Sequence, residues 1–224
     1  MTRRAVLIGV PLLLFALLST VLVLHGRGPY PVESELHSWL LTHRPAWAVR
    51  TVGLVTDLGT GAPPYLAAVA AGLRWAHCAG RSVVRVCAPV LALAVGQVIR
   101  TGLMLAVGRS RPPVADWATS ASGYSYPSGH TFTAAVAAGL LAWALLRVAR
   151  RPWVTPAVVA LGAAGVAVGL SRVYLGVHWA FDVLGGWLLA ALWLALVLPL
   201  LARLDLAAGA PGVTELQSRS SGLR

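Results

Sequence analysis

His178 and Asp182 stand four residues apart at the start of an apolar run in this 224-residue chain. On a helix that spacing puts both side chains on one face. A carboxylate so placed holds one ring nitrogen protonated and leaves the other as a nucleophile. Ser171-Arg172 come just before the pair, and two further clusters have matching chemistry. Gly108-Arg109-Ser110-Arg111-Pro112 closes one apolar run, and Pro127-Ser128-Gly129-His130 opens the next. Arginine offers planar, bidentate donors that suit phosphate oxygens and never lose their charge. Ser128-Gly129 at a helix start supplies unpaired backbone N–H groups, a hydroxyl and the positive end of the helix dipole. Gly129 also lets a ligand approach the backbone closely. His130 is then available to protonate a leaving oxygen, a role worth roughly 10²–10⁴ in rate. These are the parts of a phosphoryl-transfer site.

The elements that must carry them are membrane helices. Apolar runs cover Val6–Leu24, Ala62–Cys78, Val83–Val107, His130–Val148, Val154–Leu170 and Phe181–Leu201. The expected fold is all-α, a polytopic bundle of six transmembrane helices within residues 1–206. A polar tail, predicted to be disordered, follows over 207–224. The first run lacks a small-residue cleavage site and reads as a helix, not a cleaved signal. The second is short, and Pro63 and Pro64 suit its first turn. Leu36, Trp39 and Leu40, then Val52 and Val55, fit either short interfacial helices or an ordinary loop.

Hydrophobic residues make up 58% of the chain and charged residues only 11%, too few for the roughly 25% that a soluble domain displays. Lipid must therefore cover much of the exterior. The net charge of +11 does not indicate nucleic acid, because the basic residues are all arginines, most of them single or in small groups between apolar runs. With the N-terminus in the cytoplasm, Arg3, Arg4, Arg74, Arg81, Arg85, Arg147, Arg150, Arg151, Arg203, Arg219 and Arg224 fall on the cytoplasmic side. Arg27, Arg44, Arg50, Arg109, Arg111 and Arg172 fall opposite, so the excess puts both termini in the cytoplasm. The three motif clusters then share the non-cytoplasmic face. No metal site is expected, since a two-metal phosphatase needs several converging carboxylates and only Asp116 and Asp182 lie near the clusters. Cys78 and Cys87 read as packing residues. His25, His37, His43 and His77 read as interfacial or loop residues, and Tyr124, Tyr126 and Trp179 as an aromatic belt.

The clusters resemble the motifs of the type-2 phosphatidic acid phosphatase family, membrane lipid phosphatases whose pocket is shared with vanadium haloperoxidases. That family carries Lys-x6-Arg-Pro, Pro-Ser-Gly-His and Ser-Arg-x5-His-x3-Asp. Here the second is complete at Pro127 to His130, and the third at Ser171-Arg172 with His178 and Asp182. The first keeps Arg111-Pro112 but has Met104 at the lysine position. The resemblance implies His178 as nucleophile, Asp182 as its orienting partner and His130 as general acid. Arg111, Ser128, Gly129 and Arg172 would cradle the phosphate, with no cofactor. Arg100, one turn before Met104, is the candidate for the missing cation. Arg109 is the second candidate, or else a headgroup anchor.

The implied substrate is a lipid phosphate in the bilayer: phosphatidate, phosphatidylglycerol phosphate, or an isoprenoid phosphate or diphosphate. Two other classes share these residues, a vanadate-dependent haloperoxidase and a non-catalytic lipid-binding or transport protein. Oligomeric state is not encoded in any of these features. The charge distribution makes a direct prediction about sidedness. Cysteines placed near Ala118 or Gly176 should react with an impermeant thiol reagent in intact cells, and one at Ser220 should not. The opposite pattern would put the clusters in the cytoplasm.

Overall fold

The computed structural model describes residues 3–79, 82–148 and 151–208. Among them are eight α-helices and one 3₁₀ turn: α1 (Arg3–Leu24), α2 (Pro31–Thr42), α3 (Ala46–Asp57), α4 (Ala62–Ala79), α5 (Val83–Val107), the turn Val114–Asp116, α6 (Gly129–Val148), α7 (Val154–Tyr174) and α8 (Ala180–Ala208). The tail expected from residue 207 lies outside the described residues beyond Ala208.

Helix α6 is the hub. Its Val136, Leu140 and Ala144 are fully buried, and α4, α5, α7 and α8 pack around it. Helix α1 lies along α8, burying Phe15 and Leu22, while Leu13, Leu17 and Leu24 stay exposed. Large apolar side chains such as Val83, Val98, Leu105 and Val159 are likewise exposed on the outside of the bundle. An apolar exterior of this kind is stable only against lipid.

Five helices, α1, α5, α6, α7 and α8, are long and apolar enough to cross a membrane. Six were expected. Helix α4 forms where the second run was expected, with Pro63 and Pro64 in its first turn; it is long enough, but those prolines, Arg74 and His77 leave it too little apolar for the same class. The segment between α1 and α4 is helical, as α2 and α3, with Trp39 and Trp47 exposed. Helix α3 packs on α7. Helix α5 stops at Gly108, whose φ of 65° gives a left-handed cap that turns the chain into the loop bearing Arg109 and Arg111.

Candidate active site

At one end of the bundle a cavity of about 490 Å³ lies between α3, α5, α6, α7 and the loop from Thr119 to Gly123. Its lining includes Arg100, Arg111, Gly129, His130, Arg172 and His178. Six of the nine residues marked out by the sequence motifs therefore face one space. The ends of α5 and α7 and the start of α6 are brought to the same end of the bundle.

His178 sits in the short turn between α7 and α8 and is 2% exposed. Its Nδ1 lies 3.4 Å from Asp182 Oδ2, and its Nε2 lies 2.9 Å from Arg111 Nη1. Arginine only donates, so Nε2 must be the acceptor and the proton must sit on Nδ1, facing the carboxylate. Burial pushes the imidazolium pKa down to about 4, against the opposing pull of Asp182. At neutral pH the ring is uncharged, with its lone pair on the cavity side.

Asp182 is fully buried in the first turn of α8. Its Oδ2 accepts the Trp179 N–H at 2.8 Å, and its Oδ1 accepts from Arg109 Nη1 at 2.7 Å. Arg109 in turn reaches Glu33 of α2, with Nη2 2.5 Å from Oε2, and donates to the Gly28 carbonyl at 3.1 Å. Burial alone would lower the Arg109 pKa, but Asp182 and Glu33 hold it above its ordinary value. Arg109 is 0% exposed and absent from the cavity wall. The expectation that it contacts phosphate or anchors a headgroup is corrected: its guanidinium is engaged by two carboxylates inside the protein.

Arg111 is a strut as well as a cation. Its Nε donates to Gly123 O at 2.9 Å, Nη2 to Ser122 O at 2.9 Å and Tyr124 O at 3.0 Å, and Nη1 to Val177 O at 2.8 Å. It thus fastens the loop that roofs the cavity to the turn that carries His178. Arg172 Nη1 donates to Thr56 Oγ1 of α3 at 2.9 Å, and Asp57 lies at the cavity edge beside it. Ser128 departs from its expected place. It is fully buried, accepts from Thr131 at 2.9 Å and gives its N–H to the Asp182 carbonyl at 3.0 Å, so it ties α6 to α8 and is not part of the cavity wall.

Arg100 enters from α5. Its Nη1 lies 3.2 Å from Met104 Sδ, and a Cβ at position 129 would come within 2.9 Å of its Nη2. A side chain at 129 would push that guanidinium away from the start of α6. Three arginines and a helix N-terminus thus surround a space bounded by a single carboxylate, Asp57. Such a space attracts an anion with several oxygens.

Several residues here carried no motif signal. Glu33, Thr56 and Asp57 come from α2 and α3, the segment that sequence left open between helix and loop. His37 is 6% exposed, not interfacial, and pairs with Asp116 at 3.0 Å, while Arg44 holds the Asp116 carbonyl at 2.9 Å. An acidic residue on an apolar helix face was the available clue to Glu33, since carboxylates are rarely buried without a partner. Among the described residues no group of His, Cys, Asp and Glu is arranged to hold a metal ion.

Comparison with known proteins agrees with this geometry. Over 80 residues the chain is 40% identical to phosphatidylglycerophosphatase B of Bacillus subtilis (strain 168), covering 34% of this chain and 38% of that protein. Over 68 residues it is 43% identical to the undecaprenyl-diphosphatase of Sulfolobus acidocaldarius, covering 30% of this chain and 29% of that one. The matched stretches span about a third of the length of these relatives. The crystal structure of a transmembrane PAP2 type phosphatidylglycerolphosphate phosphatase from Bacillus subtilis shares the fold. It superposes with a TM-score of 0.71 over 89% of this chain and 96% of that one, at 23% identity. Residues 85–205, more than half of the chain and inclusive of every motif cluster, match the PAP2 superfamily, and the chain belongs to that superfamily.

Proposed function

We propose that the protein is an integral-membrane lipid phosphatase that works through a phosphohistidine on His178. The observation that carries this reading is the His178 ring, neutral and clamped at Nδ1, with Nε2 turned toward the arginine-lined cavity. In the first step the Nε2 lone pair attacks phosphorus and the bond from phosphorus to the lipid oxygen breaks. His130, which takes up a proton as the phosphate anion enters the cavity, gives it to that oxygen, and the lipid alcohol leaves, or the lipid monophosphate where the substrate is a diphosphate. In the second step His130 takes a proton from water as the water oxygen attacks phosphorus, the P–N bond breaks and inorganic phosphate departs. Arg111, Arg172, Arg100 and the N–H groups at Gly129 stabilise the charge on the equatorial oxygens, the dominant contribution in phosphoryl transfer. No metal ion is required by this scheme.

The substrate class is a lipid phosphate: phosphatidate, phosphatidylglycerol phosphate, or an isoprenoid phosphate or diphosphate. Relatives named for two of these chemistries support that range. We further read α4 as a sixth crossing. Its 18 residues span ~27 Å at 1.5 Å per residue, near the ~30 Å hydrocarbon thickness. Six crossings put both termini in the cytoplasm and the cavity on the other face, in keeping with the arginine distribution.

Arg100 takes the place of the lysine that the family motif puts at Met104. An arginine within a membrane span costs ~2.5–3.5 kcal/mol unless it meets a polar cavity, and Arg100 meets one. Its contact with Met104 Sδ supports this reading, because a lysine at 104 would extend its ammonium past the same guanidinium.

Two measurements test these readings. Purified protein in EDTA should release phosphate from a panel of lipid phosphates and isoprenoid diphosphates, and His178→Ala should abolish release. Activity lost in EDTA and restored by Mg²⁺ would reject the mechanism. Removing one oxyanion-stabilising donor typically lowers turnover about 10²–10³-fold, and Arg100→Ala should do so. Adding Met104→Lys should restore much of that loss, whereas near wild-type turnover in folded Arg100→Ala would refute the replacement.

A further inference from the structure

Glu33 lies outside the cavity, yet four donors converge on its carboxylate. Arg109 approaches with Nη2 at 2.5 Å and Nη1 at 3.3 Å. The N–H of Phe181, in the first turn of α8, donates at 2.9 Å, and the N–H of Tyr30 at 3.0 Å. The residue is 2% exposed, and Arg109 and Asp182 are both at 0%. A carboxylate sunk this deeply with every partner in place is costly to build and sharply sensitive to loss of charge.

We propose that Glu33 is a positioning residue of the reaction, acting through Arg109 on the Asp182–His178 pair. The inference rests on the phosphatase reading above. Glu33, Arg109 and Asp182 form a buried row of alternating charge whose formal sum is −1. Arg109 by itself would cancel Asp182, leaving the His178 Nδ1–H to face a neutral ion pair. Glu33 draws on the same guanidinium from the far side, so the row as a whole remains negative behind the ring. When Nε2 attacks phosphorus the ring becomes cationic, and a net negative row then stabilises it in a low-dielectric setting. Glu33 also joins α2 to the first turn of α8 through Phe181, which fixes Asp182 relative to Arg109. The interaction grows only as charge develops on the ring, so its loss belongs in kcat and not in KM.

The test uses the full-length protein in detergent micelles with whichever lipid of the panel above wild type hydrolyses fastest, reading inorganic phosphate release. Glu33→Gln keeps the volume and a carbonyl acceptor. It should lower kcat about 10–100-fold, the loss typical when the outer partner of an oriented histidine is removed, with KM within about 3-fold. In an Arg109→Gln background the same change should add no further loss, because the effect runs through Arg109. Wild-type kcat in folded Glu33→Gln, a loss confined to KM, or losses that multiply independently would each overturn the proposal. If Glu33→Gln is not recovered folded, Glu33→Asp carries the test. Its carboxylate stops about 1.5 Å short, so kcat must fall at unchanged KM, and wild-type kcat there is equally contrary. A wild-type protein that releases no phosphate from any lipid of that panel overturns the phosphatase reading together with this one. Active wild type with an unaffected Glu33→Gln overturns this inference alone.

Discussion

A charge inside a bilayer protein has no water to solvate it, so each buried ionic group must find its counterpart within the fold. The ion pair between Arg109 and Asp182, closed on its far side by Glu33, answers that demand. Breaking such a pair from one side typically costs about 3–5 kcal/mol, because the survivor is left charged and alone. The pair also dictates geometry. Asp182 can hold the His178 ring only where Arg109 holds Asp182, and Arg109 can be there only if α5 ends at Gly108 and α2 brings Glu33 across. The placement of α2, the end of α5 and the start of α8 all follow from one row of charges.

On the other side of His178 the electrostatics are reversed. Arg100, Arg111 and Arg172 converge on the cavity with Asp57 as the one carboxylate in its wall. The histidine stands at the boundary between a negative interior and a positive cavity. Its Nδ1 faces Asp182, and its Nε2 faces the arginines of the cavity. Arg111 links the two sides, since one N–H points at Nε2 while the others tie Ser122, Gly123 and Tyr124 to the His178 turn. Preorganised donors of this kind need no rearrangement as charge shifts, which is why they are effective in catalysis.

Much of this arrangement was legible in the chain. Motif spacing singled out His178, Asp182, His130, Arg111, Arg172 and Gly129, and the order of apolar runs brought them to one end of a helical bundle. What spacing could not reveal was which arginine faces inward. Arg109 and Arg111 are two residues apart at a helix end, and only the path of the chain after Gly108 sends one to the carboxylates and the other to the cavity. Ser128 looks like a phosphate ligand by type, yet its hydroxyl accepts from Thr131 within the first turn of α6. Glu33 and Thr56 belong to helices that cross the site from distant sequence, and pairwise motifs carry no record of such contacts. Helix α4, opened by Pro63 and Pro64 and interrupted by Arg74, gave the faintest membrane signal and remains the least apolar long helix.

On the proposed mechanism, phosphate passes through His178 Nε2. This route is tested most directly by quenching turnover of a lipid phosphate labelled in its phosphoryl group and locating the label on the denatured protein. The label should be alkali-stable and acid-labile, should map to the peptide containing His178, and should be absent from His178→Ala. Label that persists in His178→Ala, or an active enzyme that never acquires one, would contradict covalent catalysis at this residue.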